Sequence, residues 1–203
     1  MRECSAYVGL LGIDNLYDIG CGNQYQAFMM THGNMTYTGI DANDSIDFVE
    51  MNQAFSNGFG ERIKFVHGMY PFDISPPQNN AAIACGFAYS RDNEEQRKNA
   101  ARFLSKDFER IITDVCIAGD NYDDTFKFWE SALPEFKVCK LGNDKVQTIA
   151  NRNLIFATKI QKDIDIMKEA EYDYIDDRFM VNSVELQEIL AKLQMHKKEG
   201  EAE

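Results

Sequence analysis

Leu16-Tyr17-Asp18-Ile19-Gly20-Cys21-Gly22 is an apolar run that stops in a pair of glycines, and the reading of the whole chain starts there. A β-strand over Asn15 to Ile19 running into such a turn lets the backbone reverse sharply and come close to a ligand at the start of the next helix, expected from about Gln24 to Thr31. Two glycines one residue apart are weak evidence alone. Gly39-Ile40-Asp41 strengthens them, because it ends the next β-rich run and puts an acid 21 residues after Gly20. A carboxylate at that point can accept both hydrogen bonds of a ribose diol.

Outward from this pair, short β-rich runs alternate with longer helical ones, the pattern of βαβ units around a mainly parallel sheet. Strands are expected at Asn15 to Ile19, Met35 to Ile40, Ile63 to Val66, Ala81 to Cys85 and Arg110 to Ile117. Helices are expected at Ile46 to Ala54, ended by Asn57-Gly58 and Gly60, then from an Asp92-x-x-Glu95 capping box to about Leu104, and at Asp123 to Leu133 with Trp129 as a core anchor. The period then changes. Phe136 to Leu141 and Leu154 to Thr158 read as an antiparallel hairpin turning at Gly142-Asn143-Asp144. The expected fold is α/β, a doubly wound, Rossmann-like seven-stranded sheet closed by that hairpin and followed by a C-terminal helical extension. Ligands of such sheets bind beyond the carboxyl ends of the strands, where strand order reverses.

Two ligand classes use a glycine turn with a following acid. A dinucleotide binder wants a third glycine, where this chain has Asn23, Gln24 and Tyr25, and its pyrophosphate would meet Asp18 at close range. A ligand with a ribose, no phosphate and a cationic end is compatible with Asp18. Asp18-Ile19-Gly20-Cys21-Gly22 followed by Gly39-Ile40-Asp41, with the terminal hairpin, resembles the class I S-adenosylmethionine-dependent methyltransferases over about Leu11 to Lys159. The resemblance implies S-adenosylmethionine as cofactor, with its methionine end along Asp18, Gly20, Cys21 and Gly22, its ribose on Asp41 and its adenine beside Ala42. It also implies an acid after the third strand, but Val66-His67-Gly68-Met69 has none, which leaves Met69 to pack on the adenine. The end of the fourth strand, Cys85-Gly86-Phe87, departs from the Asn-Pro-Pro-aromatic signature of the amino-methylating enzymes; Cys85 remains a cofactor-side candidate. Ser75-Pro76-Pro77-Gln78 looks like a relic of that signature but precedes the fourth strand and reads as a stiff loop.

Catalytic residues carry little signal, because in-line displacement from a sulfonium rests mainly on alignment in a dry pocket. Tyr89 and Asp92 follow the fourth strand, where the resemblance puts the methyl acceptor, and Tyr89 could orient or deprotonate it; the alternative is a packed Tyr and a helix cap. Asp44 reads as a helix cap. His32 and His67 have no evident acidic companion and read as solvated or packed, with His67 a secondary candidate for the cofactor pocket. Cys21, Cys85 and Cys116 fall near strand ends, yet cysteine is usually a small buried hydrophobe. The five cysteines form no C-x-x-C pair, and no metal site is expected.

The chain has 203 residues, 21 basic and 33 acidic, a net charge of -12, with 44% apolar content sufficient for a core. That balance argues against nucleic acid and anionic membranes as partners. Neither a membrane span nor a signal peptide is evident, so a soluble cytoplasmic protein is expected. Residues 160 to 203 carry 6 basic and 12 acidic side chains, half of the excess, against 15 and 21 over residues 1 to 159. The division expected is a methyltransferase domain over 1–159 and an acidic helical extension over 160–203. In the extension Tyr172, Tyr174 and Phe179 interleave with Asp173, Asp176 and Asp177, and Asn182-x-x-Glu185 opens a stripe of Leu186, Ile189, Leu190 and Leu193. These helices could pack on the sheet, cap the active site or form a homodimer surface. The expected function is methyl transfer to a small-molecule or protein acceptor; the alternatives are a catalytically degenerate scaffold and an NAD-dependent oxidoreductase.

Overall fold

In the computed structural model the described residues are 8–23, 34–70, 74–84, 94–114, 122–141 and 154–169. The expected seven strands form one sheet: β1 (Asn15–Ile19), β2 (Thr36–Asp41), β3 (Ile63–His67), β4 (Asn80–Ala84), β5 (Arg110–Asp114), β6 (Lys137–Leu141) and β7 (Leu154–Thr158). Their order is β3-β2-β1-β4-β5-β7-β6, with β1 to β5 mutually parallel and β7 antiparallel to both β5 and β6. The chain leaves β1 toward one edge and returns on its other side as β4, so the reversal of strand order lies between β1 and β4. This is where a doubly wound sheet opens a crevice.

The described helices are α1 (Phe48–Phe59), continued by a 3-10 turn at Gly60–Arg62, α2 (Glu94–Asp107), α3 (Tyr122–Ala132) and α4 (Gln161–Glu169). On one face of the sheet Leu16, Tyr37, Phe65 and Phe156 pack with Met51 and Phe55 of α1. On the other, Ile19, Ala82, Ala84 and Ile111 meet Ala101 and Leu104 of α2 and Trp129 of α3. Trp129 is thus the core anchor that its spacing suggested. In β4, Ala81, Ala82 and Ala84 are fully buried, and their small side chains let layers on both faces approach the sheet centre.

Two local expectations change. α1 runs five residues beyond Ala54 and crosses Gly58. An interior glycine costs about 1 kcal/mol, less than the burial gained by Phe55, fully enclosed and in ring contact with Phe59 and Phe65. The helix stops at Gly60, whose φ of 59° suits glycine. Its N-cap is Asp47, which accepts the Glu50 N–H at 2.9 Å, and not Asp44. The edge strand β3 is held by Asn52 of α1, whose amide donates to the Phe65 carbonyl at 2.9 Å and accepts the Phe65 N–H at 2.8 Å, as a neighbouring strand would.

The amino ends of the parallel strands are closed by a polar network. Arg110, 4% exposed, donates through Nε and Nη2 to Asp163 of α4, 2% exposed, at 2.6 and 3.1 Å. Arg110 Nη1 donates to Asn79 Oδ1 at 2.8 Å, and Thr158 Oγ1 donates to Asp163 at 2.7 Å. Glu109 accepts the Asn79 N–H at 2.9 Å, and its own N–H goes to Asn80 Oδ1 at 2.9 Å. Asp163, counted above in the acidic extension, is therefore an internal bolt holding α4 to the sheet. Pro77 and Gln78 belong to this end too: their carbonyls accept from Asn80 and Asn15. The Ser75-to-Gln78 loop thus lies at the end of the sheet opposite the crevice. The helix expected at Gln24 to Thr31, the Asp92 cap, the hairpin turn and everything beyond Glu169 lie outside the described residues.

Candidate functional site

The register Ile19↔Ile40 and Asp41↔His67 brings the carboxyl ends of β1, β2 and β3 level. The turn after β1 then lies directly on the end of β2. Gly20 and Cys21 both donate their N–H groups to the Ile40 carbonyl, at 2.8 and 3.1 Å. Gly20 and Gly22 have φ of 74° and 61°, a region side chains disfavour, and a Cβ on Gly22 would meet nothing within 4 Å among the described residues. The turn is thus both tightly tied and open on its outer side.

Asp41 is the hub of three loops. Its Oδ2 accepts the Gly22 N–H at 2.7 Å, its Oδ1 accepts the Asn43 N–H at 2.9 Å, and its main-chain carbonyl accepts the Gly68 N–H at 2.8 Å. Its carboxylate is half-buried, and each oxygen keeps a lone pair beyond those bonds. Asp41 and the glycine turn, paired in the sequence by spacing alone, are in direct hydrogen-bond contact.

Beneath the turn the chemistry differs. Asp18 is 1% exposed and accepts the Tyr37 hydroxyl at 2.7 Å. Burial pushes its pKa up to about 7, opposed by the Tyr37 hydrogen bond and assisted by the negative charge of Asp41. Burial and the nearby Asp18 likewise push the Tyr37 hydroxyl well above its ordinary range. Cys21 turns inward. Its thiol is driven far up by burial and by Asp18 and Asp41, and a Cβ on Gly39 would come within 3.0 Å of its Sγ and 2.8 Å of the Phe65 ring. Gly39 is required there by packing, with the turn seated directly over it.

Around the mouth, Ala42 is exposed and Met69 is 75% exposed. His67 has the acidic companion that the sequence did not reveal: its Nε2 lies 3.1 Å from Asp44 Oδ1, and its ring stacks on Phe48 with centroids 5.3 Å apart. Asp44 and His67 thus bridge the loop after β2 and the end of β3. Cys85, Tyr89, Asp92, Cys116 and His32 lie outside the described residues. Among the described residues no group of three His, Cys, Asp or Glu side chains is arranged to hold a metal, and no helix is long and apolar enough to cross a membrane.

The crevice has a further property that was legible in the sequence and missed. Between Arg2 and Arg62 there is neither Lys nor Arg, while eight acidic residues fall in that stretch, which supplies β1, β2 and the loops that follow them.

No protein-family model and no curated protein matches the sequence. Solved structures do match. Magnesium protoporphyrin IX methyltransferase (ChlM) from Synechocystis with bound SAM superposes with a TM-score of 0.58 at 13% identity, over 78% of each chain. The methyltransferase domain of bacterial CtHen1-C gives 0.56 at 13%, over 77% of this chain and 96% of the other. The S-adenosylmethionine-dependent methyltransferase SibL gives 0.55 at 13%, over 78% and 55%. The fold is that of the class I S-adenosylmethionine-dependent methyltransferases. The antiparallel β7 between β5 and β6 completes the methyltransferase sheet, and the Asp41-centred loops occupy the carboxyl-end crevice of that methyltransferase fold.

Proposed function

We propose that the chain binds S-adenosylmethionine across the Gly20–Gly22 turn and Asp41 and transfers its methyl group to a small-molecule or protein acceptor. The observation that carries this reading is the Gly22–Asp41 hydrogen bond, which joins an open glycine turn to a carboxylate with acceptor capacity to spare. The bound cofactor supplies a methyl group on a positively charged sulfur. The residues fit such a ligand: Asp41 accepts from the ribose hydroxyls, Gly20 and Gly22 let the main chain approach the methionine end, and Ala42 and Met69 flank the adenine. The cation-free stretch from Glu3 to Glu61 favours a ligand with a cationic end and opposes a pyrophosphate, which argues against the NAD-dependent alternative. Asp18 and Cys21 lie under the turn and support it from below, so Cys21 contributes through its main chain. Cys85, Tyr89 and Asp92 stay candidates for the acceptor side.

Titration calorimetry with S-adenosylmethionine and with its demethylated product tests the reading. Binding of both is expected; no heat from either at high micromolar concentration sinks it.

A further inference from the structure

At the end of the sheet remote from the crevice, a cleft of about 730 Å³ opens between the carboxyl ends of α2 and α3 and the end of β7. Its apolar lining includes Phe103, Leu133, Pro134 and Phe136, and among the described residues its charged lining is Arg102, Lys106 and Lys159 against a single acid, Glu135. Three cations on one cleft are out of keeping with a chain of net charge -12. Lys159 is committed locally: its Nζ donates to the Ser105 carbonyl at 2.6 Å, sits 4.8 Å from the Phe136 ring centre and is 4.0 Å from Glu135. Arg102 and Lys106 are exposed, and among the described residues no carboxylate lies within ion-pair distance of either. Arg102 instead lies over the Phe103 ring at 5.1 Å, so the cleft combines cationic and aromatic surface.

A ligand complementary to that surface carries several carboxylates interleaved with aromatic side chains. The chain contains such a sequence in Glu171-Tyr172-Asp173-Tyr174-Ile175-Asp176-Asp177-Arg178-Phe179, four acids and three aromatic rings in nine residues. We propose that residues 171–179 of the same molecule are the occupant of this cleft. Reach is sufficient. α4 starts two residues after Lys159 on the cleft lip, and its nine residues span only about 13 Å. The nine residues 171–179 reach up to about 30 Å when extended. Tethering of this kind raises the local concentration of the segment to the millimolar range, enough to hold a contact of modest intrinsic strength. The proposal is independent of the cofactor reading, since the cleft lies at the opposite end of the sheet.

Hydrogen exchange of the full chain, followed by mass spectrometry at low ionic strength, tests it. Amides within 171–179 should be protected independently of protein concentration. The variant R102E/K106E, altered only at exposed positions, should exchange there about tenfold faster with α2 and the sheet unchanged. Adding D173K/D176K to that variant should restore protection, because the ion pairs are re-formed with reversed sign. The proposal is overturned if 171–179 exchange at the unprotected rate in the parent chain, if R102E/K106E leaves their protection intact, if the swapped pair fails to restore it, or if protection rises with protein concentration, which would assign the occupant to a second copy.

Discussion

The two ends of the sheet treat buried carboxylates in opposite ways. At the amino end, Asp163 receives Nε and Nη2 of the Arg110 guanidinium and the Thr158 hydroxyl, a closed set of charge-assisted bonds. At the carboxyl end, Asp18 meets a phenol and the field of another acid, and Asp41 is held by main-chain N–H groups with acceptor capacity remaining. The first arrangement ties a helix to the sheet and has nothing left to offer a ligand. The second leaves Asp41 with acceptor capacity beyond its main-chain bonds. The closed network and the acceptor-bearing turn are thus separated along the strand direction.

The largest expected effect breaks the closed end. Arg110→Ala leaves Asp163 buried without its cation, which should cost up to about 5 kcal/mol in chemical denaturation; a loss below about 1 kcal/mol would mean that the network is not what holds α4. Next, Asp18→Asn probes the open end. The folded-state pKa of Asp18, about 7, lies above its ordinary value of 3.8, so its contribution to stability is greatest below pH 4 and is lost as pH rises toward 7. At 1.36 kcal/mol per unit this amounts to about 4 kcal/mol above pH 7. Asp18→Asn keeps an acceptor for Tyr37 and should be more stable than the parent at pH 8, with the advantage vanishing near pH 4. Parallel stability profiles for the two proteins would show that Asp18 carries no such burden.

A smaller effect concerns the ligand directly. Asp41→Ala should weaken S-adenosylmethionine binding by about 1.5 to 3 kcal/mol, the loss of hydrogen bonds to a charged group; unchanged affinity in calorimetry would put the ribose elsewhere. Smallest of all, Asp44→Ala removes an exposed partner of His67 and should change folding stability by no more than about 1 kcal/mol. A larger loss in thermal unfolding would make that bridge a structural part of the crevice.

The legibility of these features follows their range in sequence. β1 and β7 begin and end where the apolar pattern puts them, and for β1 the limit at the Gly20 turn is a local matter. The end of α1 was misjudged at Asn57-Gly58, since the Phe55–Phe59 and Phe55–Phe65 contacts that carry the helix across Gly58 depend on a strand that follows it. The cap moved from Asp44 to Asp47 for a similar reason: either side chain could cap, and His67, on β3, engages Asp44. Asp18 was noticed as an acid before the turn, yet its partner Tyr37 becomes evident only in the pairing of β1 with β2, where Tyr37 and Gly39 face the same side as Asp18.

By itself the sequence determined the alternating α/β order, the glycine turn, the acid 21 residues beyond it and the closing hairpin, all set by local periodicity and turn chemistry. The charge asymmetry around the crevice was also written there, in the absence of any Lys or Arg between Arg2 and Arg62. Only the tertiary structure decided that Asp41 grips the glycine turn, that Asp18 is enclosed with Tyr37, that Asp163 is internal and that Arg102, Lys106 and Lys159 share one cleft. Each of these joins residues on different elements, and strand register and helix docking determine which charges lose water and which partners they find in exchange.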